Sequence, residues 1–162
     1  MANKDMVKGA EPTGRLYEFQ VYKAQSTVYP GDFVKKNAAG TIEPAAATDA
    51  ILGVAMNYAA AAAEVLVADH PDQLFVVQTA ADEIDAQTDI GLNASIIVGT
   101  PNATYKRSAM ELDGSTLATT ATLALKVVRI ARDVDNALGA NCKVVVRINN
   151  HQNGQATGTA GV

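Results

Sequence analysis

The sequence contains no tryptophan, few other aromatic residues and one cysteine, and these shortages exclude several classes of protein. The single cysteine, Cys142, excludes an internal disulfide framework and any zinc site with several cysteine ligands. A membrane-spanning helix needs ~20 consecutive apolar residues, and no run in the sequence approaches that length. The start, MANKDMVK, lacks the apolar stretch of a secretory signal. We therefore expect no membrane partner and synthesis in a reducing compartment.

Charge is also scarce, and its balance is acidic. Charged residues make up 19% of the chain, and the formal net charge is -4. A general nucleic-acid binder needs a basic face that releases counterions, so we expect no direct binding of nucleic acid. Hydrophobic residues make up 48% of the 162 residues, which is enough for one folded domain or for two small ones that share a core.

Strand patterns dominate the sequence between its polar ends. Residues 15–22 alternate between apolar and polar positions, which is typical of a half-buried strand, and Tyr29-Pro-Gly-Asp32 is a turn sequence. About ten short strands separated by such turns predict an all-β fold, a small β-barrel or sandwich. The predicted strands are residues 15–22, 33–35, 41–43, 51–56, 64–68, 73–78, 96–98, 105–112, 119–130 and 143–148, with further turns at 37–40, 69–72, 99–102 and 113–115.

The same patterns divide the chain into two β lobes with an extended segment at each end. We assign residues 1–13 to an N-terminal arm, 14–80 to a first lobe, 88–149 to a second lobe packed on it, and 150–162 to a C-terminal tail. Both ends have little apolar surface to offset their ordering entropy, so we expect them to find contacts outside their own domain. The alanine run 59–63 is too short for an independent helix and is interpreted as a loop or an edge segment.

The two histidines and the cysteine show no catalytic spacing. His70 lies in a turn beside Asp69 and Asp72, and His151 begins the polar tail, so both are expected to be exposed and without a site. Cys142 is expected to be a buried structural thiol. An enzyme would become the better interpretation if His70 and carboxylates converged in one deep pocket.

Acidic and basic groups likewise have simple interpretations. Carboxylates can bind calcium, but the acidic segment has no EF-hand spacing and is expected to be a solvated loop. Its members are Asp82, Glu83, Asp85 and Asp89. Asp133 and Asp135 are assigned to a loop after a strand, and the sequons at Asn93 and Asn102 to chance. The basic residues Lys106, Arg107, Arg129 and Arg132 are interpreted as partners for acidic surface. We therefore predict no catalytic, cofactor-binding or metal site and no enzymatic activity.

One stretch resembles a known family. Residues 28–45, VYPGDFVKKNAAGTIEPA, and 50–56, AILGVAM, are similar to the small capsid cement or decoration proteins of tailed bacteriophages. The shared features are a PGD turn followed by a hydrophobic residue and valine, a hairpin over a glycine, an alanine-rich segment and an I-x-G-V-A strand. The similarity covers residues 28–68. Residues 86–149 also look like phage structural proteins, especially DIGLN at 89–93 and SAMELDGST at 108–116.

The resemblance implies a virion protein without a cofactor. It would bind the outer surface of an assembled icosahedral head and stabilise the head by bridging neighbouring coat subunits. Its partners would be the major capsid protein of a tailed phage and neighbouring copies of itself, as in a trimer. Two alternatives stay open: an adhesive β-sandwich on the virion surface that binds host glycan or protein, and another head or tail component.

Overall fold

The computed structural model describes residues 3–80, 84, 86–154 and 158–162. These residues form eleven β-strands and one short 3₁₀ helix at Gln87–Asp89. The strands are β1 (Glu11–Thr13), β2 (Gln20–Lys23), β3 (Phe33–Lys36), β4 (Ile42–Pro44), β5 (Gly53–Ala55), β6 (Glu64–Ala68), β7 (Leu74–Gln78), β8 (Asn93–Val98), β9 (Met110–Ala118), β10 (Leu125–Ile130) and β11 (Lys143–Ile148).

Two antiparallel sheets pack on each other as a sandwich. The large sheet has six strands in the order β1-β7-β11-β10-β8-β9, and the small sheet has five in the order β2-β6-β5-β3-β4. The all-β prediction is confirmed, in its sandwich form, because the sheets do not close into a barrel. The strand β7 lies in the sequence of the predicted first lobe but pairs with β11, so the sheets do not follow the predicted lobes.

The core between the sheets follows from strand alternation. In β11, Val144, Val146 and Ile148 point inward, as the period of two requires. Phe75 of the large sheet meets Phe33 of the small sheet edge to face, with ring centroids 6.5 Å apart. Both rings are fully buried, so one hydrophobic core joins the two sheets.

A second core covers the other face of the small sheet. It contains buried strand residues such as Val34, Ile42 and Val67, together with Val28 and Ala59 from the connecting segments. Ala59 forms an isolated bridge with Val28, and a turn follows at residues 61–63. The alanine run is therefore a loop segment, as expected.

Several predicted strands have different limits in the structure. The strand predicted at 15–22 begins only at Gln20, and the one at 119–130 begins at Leu125. The strand predicted at 105–112 begins at Met110 and continues through the predicted turn at 113–115 to Ala118. This continuation is possible because the pairing of β8 with β9 shifts register between Asn93 and Ser95, and this irregularity accommodates the extra residues.

Both ends of the chain contact its own sheets, which differs from the expectation that they bind elsewhere. At the N-terminus, β1 pairs with β7, and the Asn3 side-chain amide donates to two carbonyls of the β10–β11 loop. At the C-terminus, His151 bridges to Ile51, and the Val162 N–H donates to the Gly91 carbonyl. These contacts are main-chain and side-chain amide hydrogen bonds. The spacing of apolar residues in the sequence does not predict such bonds.

Candidate functional site

A cleft of about 390 Å³ lies where three distant segments of the chain meet, and we call it the cationic cleft. One wall is the N-terminal segment that leads into β1. The second combines the turn before β3 with the end of β5, and the third is the tip of the β8–β9 loop. The lining residues are Lys8, Ala10, Glu11, Pro12, Pro30, Gly31, Ala55, Met56, Tyr105, Lys106 and Arg107.

Two glycines hold the first wall against the second. Gly9 and Gly31 both have positive φ, at 76° and 92°, a region that glycine enters at low cost. The Ala10 N–H donates to the Gly31 carbonyl over 2.9 Å. A Cβ atom at Gly9 would collide with the Gly31 carbonyl, so the backbones can approach only because this side chain is absent.

A buried carboxylate fixes the turn and the loop beside it. Asp32 is 1% exposed, and its carboxylate accepts the Tyr29 N–H over 2.9 Å. Burial raises the pKa of this carboxyl, although the neighbouring Ser108 side chain and the Tyr29 hydrogen bond act in the opposite direction. The Ser108 N–H donates to the Pro30 carbonyl over 3.3 Å, which ties the β8–β9 loop to the turn. The predicted turn at Tyr29–Asp32 is confirmed by the hydrogen bond from the Asp32 N–H to the Tyr29 carbonyl.

The third wall is a short hairpin loop. The Asn102 and Arg107 backbones donate to each other, and the Asn102 side chain accepts the Tyr105 N–H over 3.0 Å. Lys106 has a φ of 48°, an uncommon value for a residue other than glycine. Its ammonium group lies 4.3 Å from the ring centroid of Tyr58, within the range of a cation–π contact.

Positive charge prevails in the cleft. Its lining includes Lys8, Lys106 and Arg107, against one carboxylate, that of Glu11. Lys8 binds Glu11 over 2.8 Å, whereas Lys106 and Arg107 form no ion pair with the residues that the structure describes. The structure thus places two of the basic residues singled out in the sequence at a cleft. The other two, Arg129 in β10 and Arg132 in the loop after it, lie outside the lining.

A second, smaller cavity of about 220 Å³ is lined partly by His151, Asp72 and Arg147. His151 is 3% exposed, which corrects the expectation of an exposed side chain. Its Nδ1 accepts the Asn153 N–H over 3.0 Å. Loss of hydration lowers the pKa of the imidazole to about 4. The burial follows from the backbone, because Ile51 donates to and accepts from the residues on either side of His151.

The other histidine lies close to this cavity. His70 stacks on Tyr17 with ring centroids 3.7 Å apart, and it is half-buried rather than exposed. The neighbouring Asp69 accepts the Tyr22 hydroxyl over 2.6 Å, and burial together with this contact raises the pKa of Tyr22 to about 12. The turn therefore brings ionisable groups together more closely than its sequence indicates. Among the described residues, no three histidine, cysteine or acidic side chains form a cluster that could hold a metal ion.

Among the residues that the structure describes, the remaining ones singled out in the sequence lie outside the linings of the cationic cleft and the smaller cavity. Cys142 is a buried free thiol, as predicted, and burial raises its pKa. Asp133 and Asp135 lie in the exposed loop after β10, also as predicted, and Asp133 binds Lys143 over 3.1 Å. In the acidic segment, the Asp89 carboxylate accepts the Ala86 N–H over 3.0 Å. Three further candidates lie outside the described residues: Asp82, Glu83 and Asp85.

Comparisons with protein-family models and with curated protein sequences found no match. In the described part of the chain, no helix is long and apolar enough to span a membrane.

Proposed function

We propose that this protein is a structural component of a tailed-phage particle. In this role it binds the outer surface of the assembled head and stabilises it by bridging neighbouring coat subunits. The observation that carries the proposal concerns residues 28–68, the stretch that resembles capsid decoration proteins. They form β3 to β6 of the small sheet, with a hydrophobic core separate from the central one.

The decoration-like turn also contributes to the candidate site. Pro30 and Gly31 belong to the Pro-Gly-Asp sequence of the resemblance, and both line the cationic cleft. The resemblance and the cationic cleft therefore meet at one place in the molecule. That coincidence supports a function in binding another macromolecule through this end of the sandwich.

The sheet edges suggest where else contacts could form. The edge strands β1 and β4 contain Pro12 and Pro44, which lack a donor for strand addition. The edge strand β2 has no proline, and Val21 within it is 60% exposed. Leu16, just before this strand, is 62% exposed. We place contacts to coat subunits or neighbouring copies on this folded surface, since the terminal segments already bind the chain's own sheets.

Stabilisation of a shell follows from binding to one state only. A ligand that binds the assembled shell and not the separated subunits adds its binding free energy to the assembled state. A copy that contacts two subunits binds more tightly still. Once the first contact has formed, the second subunit is present at a high effective concentration. Modest affinity at each site is therefore sufficient when many sites are occupied.

The test uses particles produced from the genome that encodes the chain, with and without its gene. Purified heads are analysed by mass spectrometry for the protein and by thermal release of DNA. We expect the protein on wild-type heads, release at lower temperature from heads without it, and recovery when purified protein is added. Heads that never contain the protein, or that release DNA identically with and without it, would refute the proposal.

A virion-surface adhesive module is the second candidate, because Tyr105 lines the cleft and two further tyrosines lie beside its lining residues. Tyr58 meets Tyr29 edge to face at 5.5 Å, and Tyr105 is 77% exposed. Exposed aromatic faces can stack on sugars. Binding to host glycans on an array, together with unchanged thermal stability of heads that lack the protein, would favour this function over the first.

A further inference from the structure

We propose that the cationic cleft binds an acidic, extended segment of a protein partner, and that in the assembled head this partner is a coat subunit. The identification of the partner rests on the proposed function, whereas the ligand chemistry rests on the cleft itself. The inference assigns the recognition to the side chains of Lys8, Lys106 and Arg107.

Charge complementarity is the first argument. The whole chain is acidic, with a net charge of -4, yet the cleft collects these cations around one carboxylate. Arg107 presents a planar guanidinium that can bind a carboxylate through two parallel hydrogen bonds. Lys106 is fixed over the Tyr58 ring, so less side-chain freedom is lost when it binds an anion.

The shape of the cleft favours a peptide segment over a small free anion. Lys8 lies on one wall, and Lys106 and Arg107 lie on another. Apolar groups of Pro12, Met56 and others line the same cleft. A volume of about 390 Å³ is within the range of pockets that hold whole organic ligands. A segment with spaced carboxylates and intervening apolar atoms satisfies both kinds of surface.

The edge of the adjacent strand indicates that the partner is recognised by side chains and not by backbone hydrogen bonds. β1 is the outer strand of the large sheet, but Pro12 at its centre has no N–H. A partner strand could not continue the full hydrogen-bond ladder there. Binding should therefore depend on charge and weaken as salt rises.

Glu11 supplies a distinctive prediction. Its carboxylate already forms an ion pair with Lys8, and the Glu11 side chain is 55% exposed. An incoming acidic segment must therefore compete with Glu11 for the Lys8 ammonium group. The variant Glu11→Gln removes the competing charge while keeping nearly the same side-chain shape. It should bind acidic peptide more tightly than the wild type, a gain that partial misfolding would not produce.

The first experiment titrates the purified full chain with fluorescein-labelled hexaglutamate in about 0.1 M salt, where the Debye length is about 10 Å. The variant with Lys106→Glu and Arg107→Glu should bind about tenfold more weakly, a loss of about 1.4 kcal/mol, because two surface ion pairs with the peptide are lost. The control, with Lys36→Glu and Arg132→Glu, makes the same change in net charge at exposed positions outside both the cleft lining and β2. The control should bind within about twofold of the wild type, because charges far from the cleft are largely screened at this salt concentration.

Several results would overturn the inference. These are no binding of hexaglutamate, equal losses in the cleft and control variants, or no gain with Glu11→Gln. Full competition by inorganic phosphate would assign the cleft to a small anion, and tighter binding of a short DNA duplex would assign it to nucleic acid. Either result also overturns the proposal.

A second experiment separates this inference from the proposed function. The variants are added to heads that lack the protein. Loss of occupancy with Lys106→Glu and Arg107→Glu, but not with the control, supports a coat segment in the cleft. Normal occupancy by the cleft variant refutes the inference and leaves the function intact. Binding of hexaglutamate in the cleft with no binding of wild type to heads refutes the function and the coat partner together.

Discussion

His151 provides a sharp test of how the C-terminal segment is held, because the structure buries this histidine in its neutral form. Its side chain is 3% exposed, and loss of hydration lowers its pKa from 6.5 to about 4. The nearby charges of Asp69 and Asp72 raise the pKa and that of His70 lowers it, but burial is the largest influence. The folded chain therefore takes up a proton at this site less readily than the unfolded chain.

Acidification should destabilise the fold through this site. Above pH 6.5 the imidazole is neutral in both states, and its contribution to stability is fully present. As the pH falls from 6.5 toward about 4, the unfolded chain binds the proton first and that contribution is lost. With these two pKa values, the loss in free energy of unfolding is about 2 kcal/mol between roughly pH 7.5 and pH 5, and about 3 kcal/mol by about pH 4.

The assay is urea unfolding at about pH 7.5 and about pH 5 for the wild type and for His151→Asn. The asparagine oxygen can still accept the Asn153 N–H but does not titrate, so most of the acid-dependent loss should disappear. Burial also raises the pKa of Asp32 and Glu111, which adds stability as the pH falls, but this contribution is shared by both proteins. His70→Asn is the control and should keep most of the loss. Equal losses in the wild type and His151→Asn would refute the reasoning.

Three further predictions concern the core and the thiol. Phe75→Ala removes a fully buried ring between the sheets and should lower the free energy of unfolding by about 3–5 kcal/mol in urea titration; a loss below about 1 kcal/mol would contradict the central core. Gly53→Ala places a Cβ against the Ala68 carbonyl of the paired strand and should cost about 1–3 kcal/mol, whereas unchanged stability would contradict the close pairing of β5 with β6. Cys142 is buried with a raised pKa, so it should react with a thiol reagent only after unfolding in guanidinium, and rapid labelling of the native protein would contradict its burial.

The sequence predicts the strands well where aliphatic and β-branched residues are concentrated. Residues 143–148 and 64–68 are such segments, and the structure places β11 and β6 there with most of their residues buried. Asp113-Gly114-Ser115 has turn chemistry but lies within β9, since the register shift against β8 accommodates it. Local residue preference therefore fails to predict the structure where pairing with another strand determines the backbone conformation.

The cationic cleft could not be predicted by the same reasoning. Its walls come from residues near 8–12, 30–31, 55–56 and 105–107, and no local period connects them. Lys106 and Arg107 were visible as an isolated basic pair, but their nearness to Lys8 depends on the contact between Gly9 and Gly31. The burial of His151 is equally non-local, because hydrogen bonds with Ile51 hold a segment that lacks apolar side chains.

The attachment of the N-terminal segment also limits how the protein could bridge subunits. If residues 3–13 left the sandwich to join a neighbouring sheet, β7 would lose its partner β1 and the cleft would lose the wall that carries Lys8. Release of the segment and binding of an acidic partner in the cleft are therefore mutually exclusive. A ligand that needs the attached form stabilises it, so occupancy of the cleft should hold the segment in place more firmly. Under the proposed function, the N-terminal segment strengthens a shell by forming part of a rigid binding surface, and not by exchanging strands.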